Sequence, residues 1–117
     1  KMVPIVEPEV LMDGSHDIEK CYQVTTNVLN ECYNELEIQR VDLKGTVLKP
    51  NMVIPGSECK NKSSSEEIAR KTLDCLKKNV PSDVPGVAFL SGGQSESDAT
   101  KNLNLINLSC LFQMDLG

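Results

Sequence analysis

The sequence contains a single histidine, His16, and none of its five cysteines (Cys21, Cys32, Cys59, Cys75 and Cys110) forms a Cys-x-x-Cys pair. A zinc finger therefore lacks its ligands, and an odd number of widely spaced thiols makes a poor disulfide framework. The thiols read instead as small hydrophobes in a reducing, cytosolic setting. A basic excess is missing too: 12 Lys and Arg stand against 17 Asp and Glu, whereas a phosphate-backbone binder needs clustered positive charge. No apolar run is longer than Val87–Leu90, far short of the roughly 20 residues that span a bilayer. The opening Lys1-Met2-Val3-Pro4 has neither a basic n-region nor an apolar h-region, so no signal peptide is expected there. Neither nucleic acid nor a membrane is an expected partner.

What is present is the composition of an ordinary folded protein, 39% hydrophobic and 25% charged. A length of 117 residues allows one domain, able to bury roughly two-thirds of its unfolded surface.

Three segments share one shape. Met2–Glu9, Gly45–Asn51 and Gly86–Gly93 each hold a four- or five-residue, largely apolar run bounded by turn residues, the pattern of a buried parallel strand. The first polar residues after the runs, Glu7, Lys49 and Ser91, are spaced 42 and 42 residues apart. Helical patterns lie between and after them. From His16 to about Leu36, the apolar residues Ile18, Cys21, Tyr22, Val24, Val28, Leu29, Cys32, Tyr33 and Leu36 recur on one face, with Ser15 as the expected N-cap. A second helix is expected to start at Ser64, where Ser64-Ser65-Glu66-Glu67 forms a capping box, and to end at Lys77-Lys78 before Pro81. A third opens at Ser95, with Asp98 three residues on. The connection Pro55–Ser63 reads as a polar loop, Lys60 and Lys62 as solvated, His16 as an exposed helix-start residue, and the Tyr and Phe side chains as core.

Regular alternation of strand and helix implies βα units on a parallel sheet. Right-handed crossovers then bring the carboxyl ends of all three strands, with Glu7, Lys49 and Ser91, to one edge, where α/β folds build their sites. Eight such units would take about 336 residues, within the range of a (β/α)8 barrel. The expected fold is thus α/β, three consecutive βα units of a partial barrel, with a small open sheet as the alternative.

Each of these positions also has a plain reading. Glu7 and Glu9, two apart on a strand, are either site carboxylates or solvated ones. Lys49 ends an apolar strand before Pro50; it is either an exposed lysine or an amine enclosed by apolar walls, which would make it a nucleophile. Ser91-Gly92-Gly93-Gln94-Ser95 is either a tight turn with an N-cap or a cradle of backbone N–H groups for an anion. Together, a carboxylate, an amine and an anion cradle suit imine chemistry on a phosphorylated carbonyl compound.

The segments Val3–Leu11, Gly45–Val53 and Phe89–Glu96 resemble class I fructose-bisphosphate aldolase, in order and at the family's spacing, from about Val3 to Asn107. The resemblance covers about a third of an aldolase subunit, in the second half of its barrel. It implies that Lys49 forms the Schiff base with the substrate ketone, that Glu7 accepts and returns protons, and that Glu9 tunes the site. It implies that Ser91, Gly92 and Gly93 hold a substrate phosphate. No metal or cofactor is implied, since the imine replaces the zinc of class II enzymes. The implied reaction is reversible cleavage of fructose 1,6-bisphosphate into dihydroxyacetone phosphate and glyceraldehyde 3-phosphate, by a homotetrameric cytoplasmic (or plastid) lyase.

The family's other catalytic residues lie on earlier strands, its phosphate-binding arginine on the last strand and its mobile tyrosine in a C-terminal tail, none of which is matched here. Residues 108–117 depart from the family pattern, which divides the chain into 1–107 and a divergent tail. The expectation is a shortened form with little activity alone. The alternatives are a non-catalytic segment assembling with full-length subunits, or another Schiff-base barrel enzyme acting on a different sugar phosphate.

Overall fold

Prolines set the lengths of the strands. Pro4 and Pro8 bracket the first run, Pro50 closes the second and Pro85 precedes the third, and a residue without an N–H cannot donate to a ladder. The computed structural model describes the backbone of residues 2–116 and the side chains of residues 2–109. Its strands are two residues each, β1 (Ile5–Val6), β2 (Val47–Leu48) and β3 (Gly86–Val87), shorter than the apolar runs suggest. They form one parallel sheet in the order β1-β2-β3, with Ile5 level with Val47 and Gly86, and Val6 level with Leu48 and Val87. Pairing runs past these bounds. The Lys49 N–H donates to the Val6 carbonyl (2.7 Å), Ala88 to Leu48 (2.8 Å) and Leu90 to Pro50 (3.2 Å).

Three helices alternate with the strands: α1 (Ile18–Ile38), α2 (Ser65–Asn79) and α3 (Glu96–Leu116). The cap of α1 is Asp17, not Ser15: its carboxylate accepts the Lys20 N–H at 2.8 Å, joining a charge-assisted bond to the favourable end of the helix dipole. Ser64 caps α2 as expected, accepting from Glu67 N–H at 3.2 Å, and Ser95 accepts from Asp98 N–H at 3.1 Å. A short 3-10 turn, Leu43–Gly45, leads into β2.

The core gathers around the middle strand. Leu48 is fully buried, in one cluster with Ile18, Cys21, Leu29 and Tyr33 of α1, Ile68, Leu73, Cys75 and Leu76 of α2, and Ile106 of α3. The connection after β2 adds Met52, Val53 and Ile54, and the whole stretch Pro50–Gly56 is buried without regular structure. Its backbone groups find other partners: Val53 N–H donates to the Thr72 hydroxyl (2.9 Å), and Gly56, Ser57 and Glu58 N–H groups donate to the carbonyls of His16, Met12 and Gly14. The β1–α1 and β2–α2 connections are thereby laced together.

Several expected surroundings differ. His16 is half-buried, wedged against Gly56, where an added Cβ would lie 3.0 Å from its ring. Tyr22 packs half-buried against the core but turns its hydroxyl outward to Asp74 (2.6 Å); its ring lies under the Lys71 ammonium (5.7 Å), and Lys71 pairs with Glu19. Tyr33 is buried and Phe89 packs half-buried against the core; the side chain of Phe112 lies outside the described residues. Lys62 is exposed but bonded, its ammonium donating to the Ser57 carbonyl at 2.9 Å.

Candidate functional site at the strand ends

Because Val6 and Leu48 are paired, the residues that follow them, Glu7 and Lys49, stand side by side where the chain leaves β1 and β2. Leu48 turns into the core, so the alternation of a strand turns Lys49 away from it. The Lys49 ammonium lies 3.3 Å from a Glu7 carboxylate oxygen, with the two side chains 39% and 50% exposed. Of the two readings of Lys49, an exposed lysine or an amine enclosed by apolar walls, the partly exposed side chain favours the first. Its immediate neighbour is a proton acceptor within hydrogen-bond reach, which is the first requirement of a general base.

The glycine turn lies at the end of the third strand. The Leu90 N–H donates to the carbonyl of Pro50, so Ser91 follows directly after a backbone bond to the residue next to Lys49. Ser91–Gln94 is a closed turn, with Gln94 N–H donating to the Ser91 carbonyl at 3.1 Å. Gly92 (φ +63°) and Gly93 (φ +90°) have the two positive dihedrals of a type I′ turn. At Gly93 the positive dihedral favours glycine, and a Cβ there would lie 2.8 Å from the sulfur of the flexible Met12 side chain, which would have to move. The first turn of α3 already holds Glu96 and Asp98, which offset part of the helix's attraction for an anion.

Glu9 does not join the ion pair; among the described residues it makes none. It is exposed, beyond the two-residue strand, and with Asp13, Met12, Gly92 and Gly93 it lines a shallow depression of about 290 Å³. The six expected site residues thus divide: Glu7 and Lys49 touch, Ser91–Gly93 stand next along the same rim, and Glu9 belongs with the glycines.

Asn51 was not singled out from the sequence as a site residue. It is buried two residues after Lys49, its Oδ1 accepting from Val10 N–H (3.1 Å) and its Nδ2 donating to the Thr25 hydroxyl (3.2 Å) and the Met52 carbonyl (3.1 Å). It fixes the chain leaving β1 to the chain leaving β2, directly beyond the Glu7–Lys49 pair. An amide beside the apolar run Met52-Val53-Ile54 was the available signal, since a buried amide needs partners.

Comparison with known proteins places this rim in context. The family model for glycolytic class-I fructose-bisphosphate aldolase matches residues 1–114. Fructose-bisphosphate aldolase 4, cytosolic, of Arabidopsis thaliana is 59% identical over 106 residues, covering 91% of this chain and 27% of the relative. Fructose-bisphosphate aldolase C of Mus musculus is 57% identical, covering 91% of this chain and 29% of the relative. A solved structure of fructose-bisphosphate aldolase from Plasmodium falciparum, in complex with TRAP and a small-molecule inhibitor, superposes with a TM-score of 0.89 at 50% identity, covering 91% of this chain and 30% of that one. The chain spans less than a third of the length of these relatives.

Proposed function

The chain belongs to the class I fructose-bisphosphate aldolase family, its open parallel sheet being part of the family's (β/α)8 barrel, and from that premise we propose that it carries the imine-forming part of an aldolase site. Lys49 is the nucleophile. Once its ammonium has given a proton to Glu7 or to water, the amine lone pair adds to the C2 carbonyl of fructose 1,6-bisphosphate, and the carbonyl oxygen takes up a proton. Glu7 then protonates the carbinolamine hydroxyl, water leaves, and a protonated imine remains on Lys49. The imine draws in the electron pair of the C3–C4 bond as it breaks, and the C4 hydroxyl proton passes to a carboxylate. Glyceraldehyde 3-phosphate departs, leaving the enamine of dihydroxyacetone phosphate. Proton return to C3 and addition of water release the second product.

Ser91 and the N–H groups of Gly92 and Gly93 hold a substrate phosphate in this reading, and Glu9 acts from the side of that turn, not on the amine. The observation that carries the proposal is the 3.3 Å approach of the Lys49 ammonium to the Glu7 carboxylate at adjacent strand ends. In place of desolvation, proton transfer to this neighbour activates the amine. No metal or cofactor enters. A homotetrameric assembly follows the family, and a cytosolic setting is supported by relatives so named; a plastid setting rests on the resemblance alone.

The described sheet is open at both edges, with Ile5 on β1 59% exposed and Val87 on β3 43% exposed. Imine formation is accordingly assigned to the 117 residues, and efficient cleavage of the bisphosphate to a closed barrel. A second reading is a non-catalytic segment that associates with full-length subunits.

Incubation with dihydroxyacetone phosphate, reduction with borohydride and mass spectrometry decide between the two. The expected adduct is on Lys49, is lost in Lys49→Met, and forms about 10²-fold more slowly in Glu7→Gln. An adduct spread evenly over Lys44, Lys60 and Lys62, or none on the folded chain, overturns the catalytic reading and leaves assembly.

A further inference from the structure

Glycine adopts positive and negative φ with equal ease, so the pair Gly92-Gly93 does not by itself choose the direction of its peptide N–H groups. The choice is made by neighbours, and one side chain bonds the carbonyl that opens the turn. The Gln94 amide nitrogen donates to the Ser91 carbonyl at 3.0 Å and lies 3.5 Å from the sulfur of Met52; its oxygen accepts from Asn102 Nδ2 at 2.7 Å. Asn102 is 3% exposed on α3, and Met52 is buried three residues beyond Lys49, so both supports are fixed in the core. The Ser91 carbonyl therefore accepts two bonds from one residue, the Gln94 backbone N–H and side chain.

A peptide unit is planar and trans, with its C=O and N–H pointing in opposite directions. Holding the Ser91 carbonyl on Gln94 fixes the Gly92 N–H facing away from Gln94, out of the turn. We propose that Gln94 is a positioning residue that aims the Gly92 N–H at the substrate phosphate, with Asn102 as its strut. It touches neither substrate nor Lys49. This deepens the reading above and rests on its assignment of the phosphate to the Ser91–Gly93 turn. The link through Met52 also ties the turn to the chain leaving the nucleophile's strand, so the distance between amine and phosphate is held by side-chain bonds across two connections.

The proposal separates two ketones. Dihydroxyacetone needs only the amine, whereas dihydroxyacetone phosphate also uses the turn. Gln94→Met, which keeps the length of the side chain and removes its polar bonds, is expected to cut the preference of Lys49 trapping for the phosphorylated ketone by roughly tenfold, with dihydroxyacetone trapping little changed. Titration of the amide resonances of Gly92 and Gly93 with inorganic phosphate gives a second readout that needs no Lys49 chemistry. Gln94→Met should weaken that binding by a similar factor, and Asn102→Ala, which leaves the turn's own bonds in place, by about threefold. Loss of dispersed amide signals in Gln94→Met would transfer the decision to Asn102→Ala. Unchanged phosphate binding in the folded variants, or no response of the glycine amides in the unaltered chain, overturns the role of Gln94. Phosphate binding that depends on Gln94, without trapping of either ketone at Lys49, instead overturns the catalytic reading and leaves this one standing.

Discussion

The middle strand and the two that flank it are alike in sequence and unlike in surroundings. Leu48 of β2 is fully buried, and apart from Lys49 the chain stays buried from there to Gly56; Ile5 of β1 and Val87 of β3 are more than two-fifths exposed. Each run is apolar, ends near a polar residue and meets a proline or glycine. The difference lies in sheet order and in face: β2 is paired on both sides, β1 and β3 each have a bare edge, and Ile5, level with Val47, also turns to the face opposite that of Leu48. Burial here is a property of place in the sheet more than of the strand's own residues. The candidate site draws one group from each kind of strand, the amine from the buried one and the carboxylate from an edge.

The largest test of that contrast is truncation on each side of it. Leu48→Ala removes a fully buried side chain and should cost about 3–5 kcal/mol, against less than about 1 kcal/mol for Ile5→Ala, where little burial is lost. Urea denaturation of the two variants against the unaltered chain measures both. Similar losses at the two sites would remove the distinction.

The buried connection after β2 should be nearly as sensitive, for a polar reason. Thr72→Val keeps the shape of the side chain and leaves the Val53 N–H without an acceptor inside the core, a cost of about 1–3 kcal/mol. At the surface, Ser64→Ala removes only the cap of α2, about 1 kcal/mol, with the first-turn amides free to bond water. If denaturation ranks Ser64 above Thr72, the connection is less firmly held than its bonds imply.

The same contrast explains what could be read from the sequence. Strand order, parallel pairing, the Ser64 cap and the opening of α3 at Ser95 follow from local patterns, and the structure has them. So does the meeting of Glu7 and Lys49, because equal spacing in βα units places successive strand ends side by side. The apolar runs predict longer strands than the structure has, since the prolines at positions 4, 8, 50 and 85 lack the donors a ladder needs. A shared face for Glu7 and Glu9 requires the strand to continue past Pro8, and it ends at Val6. Asn51, Met12 and Gln94 act across connections, through the contacts Asn51–Val10, Met12–Gly93 and Gln94–Met52 between residues about 40 or more apart. No periodicity encodes such contacts, and a polar residue beside a buried run is their only trace.

The smallest effect belongs to the outer face of α1 and α2, and it has a pH signature. The Tyr22 hydroxyl donates to Asp74 at 2.6 Å, and Lys78 lies 3.2 Å from the same carboxylate. The bond to the Asp74 carboxylate, ahead of burial, pushes the Tyr22 hydroxyl up to about 12, and that same bond, followed by the Lys78 ammonium, holds Asp74 below the usual carboxylate range. A raised phenol contributes stability that is complete below its unfolded value near 10 and disappears as pH climbs through about 12. A lowered carboxylate contributes stability that is complete above its unfolded value near 3.8 and is lost as pH falls further. Tyr22→Phe should therefore lose about 0.5–1 kcal/mol on the plateau between these limits, the net worth of one exposed hydrogen bond. Subtracting the variant's denaturation free energy from that of the unaltered chain isolates the contribution of the Tyr22 hydroxyl. The difference should be flat through neutral pH and narrow from about pH 10, and it should be gone before pH 12 is reached. A difference that persists undiminished to pH 12 would mean that the hydroxyl does not act through its proton on Asp74, and no difference at neutral pH would leave the ring's packing under Lys71, which phenylalanine keeps, as what this face of the helices contributes.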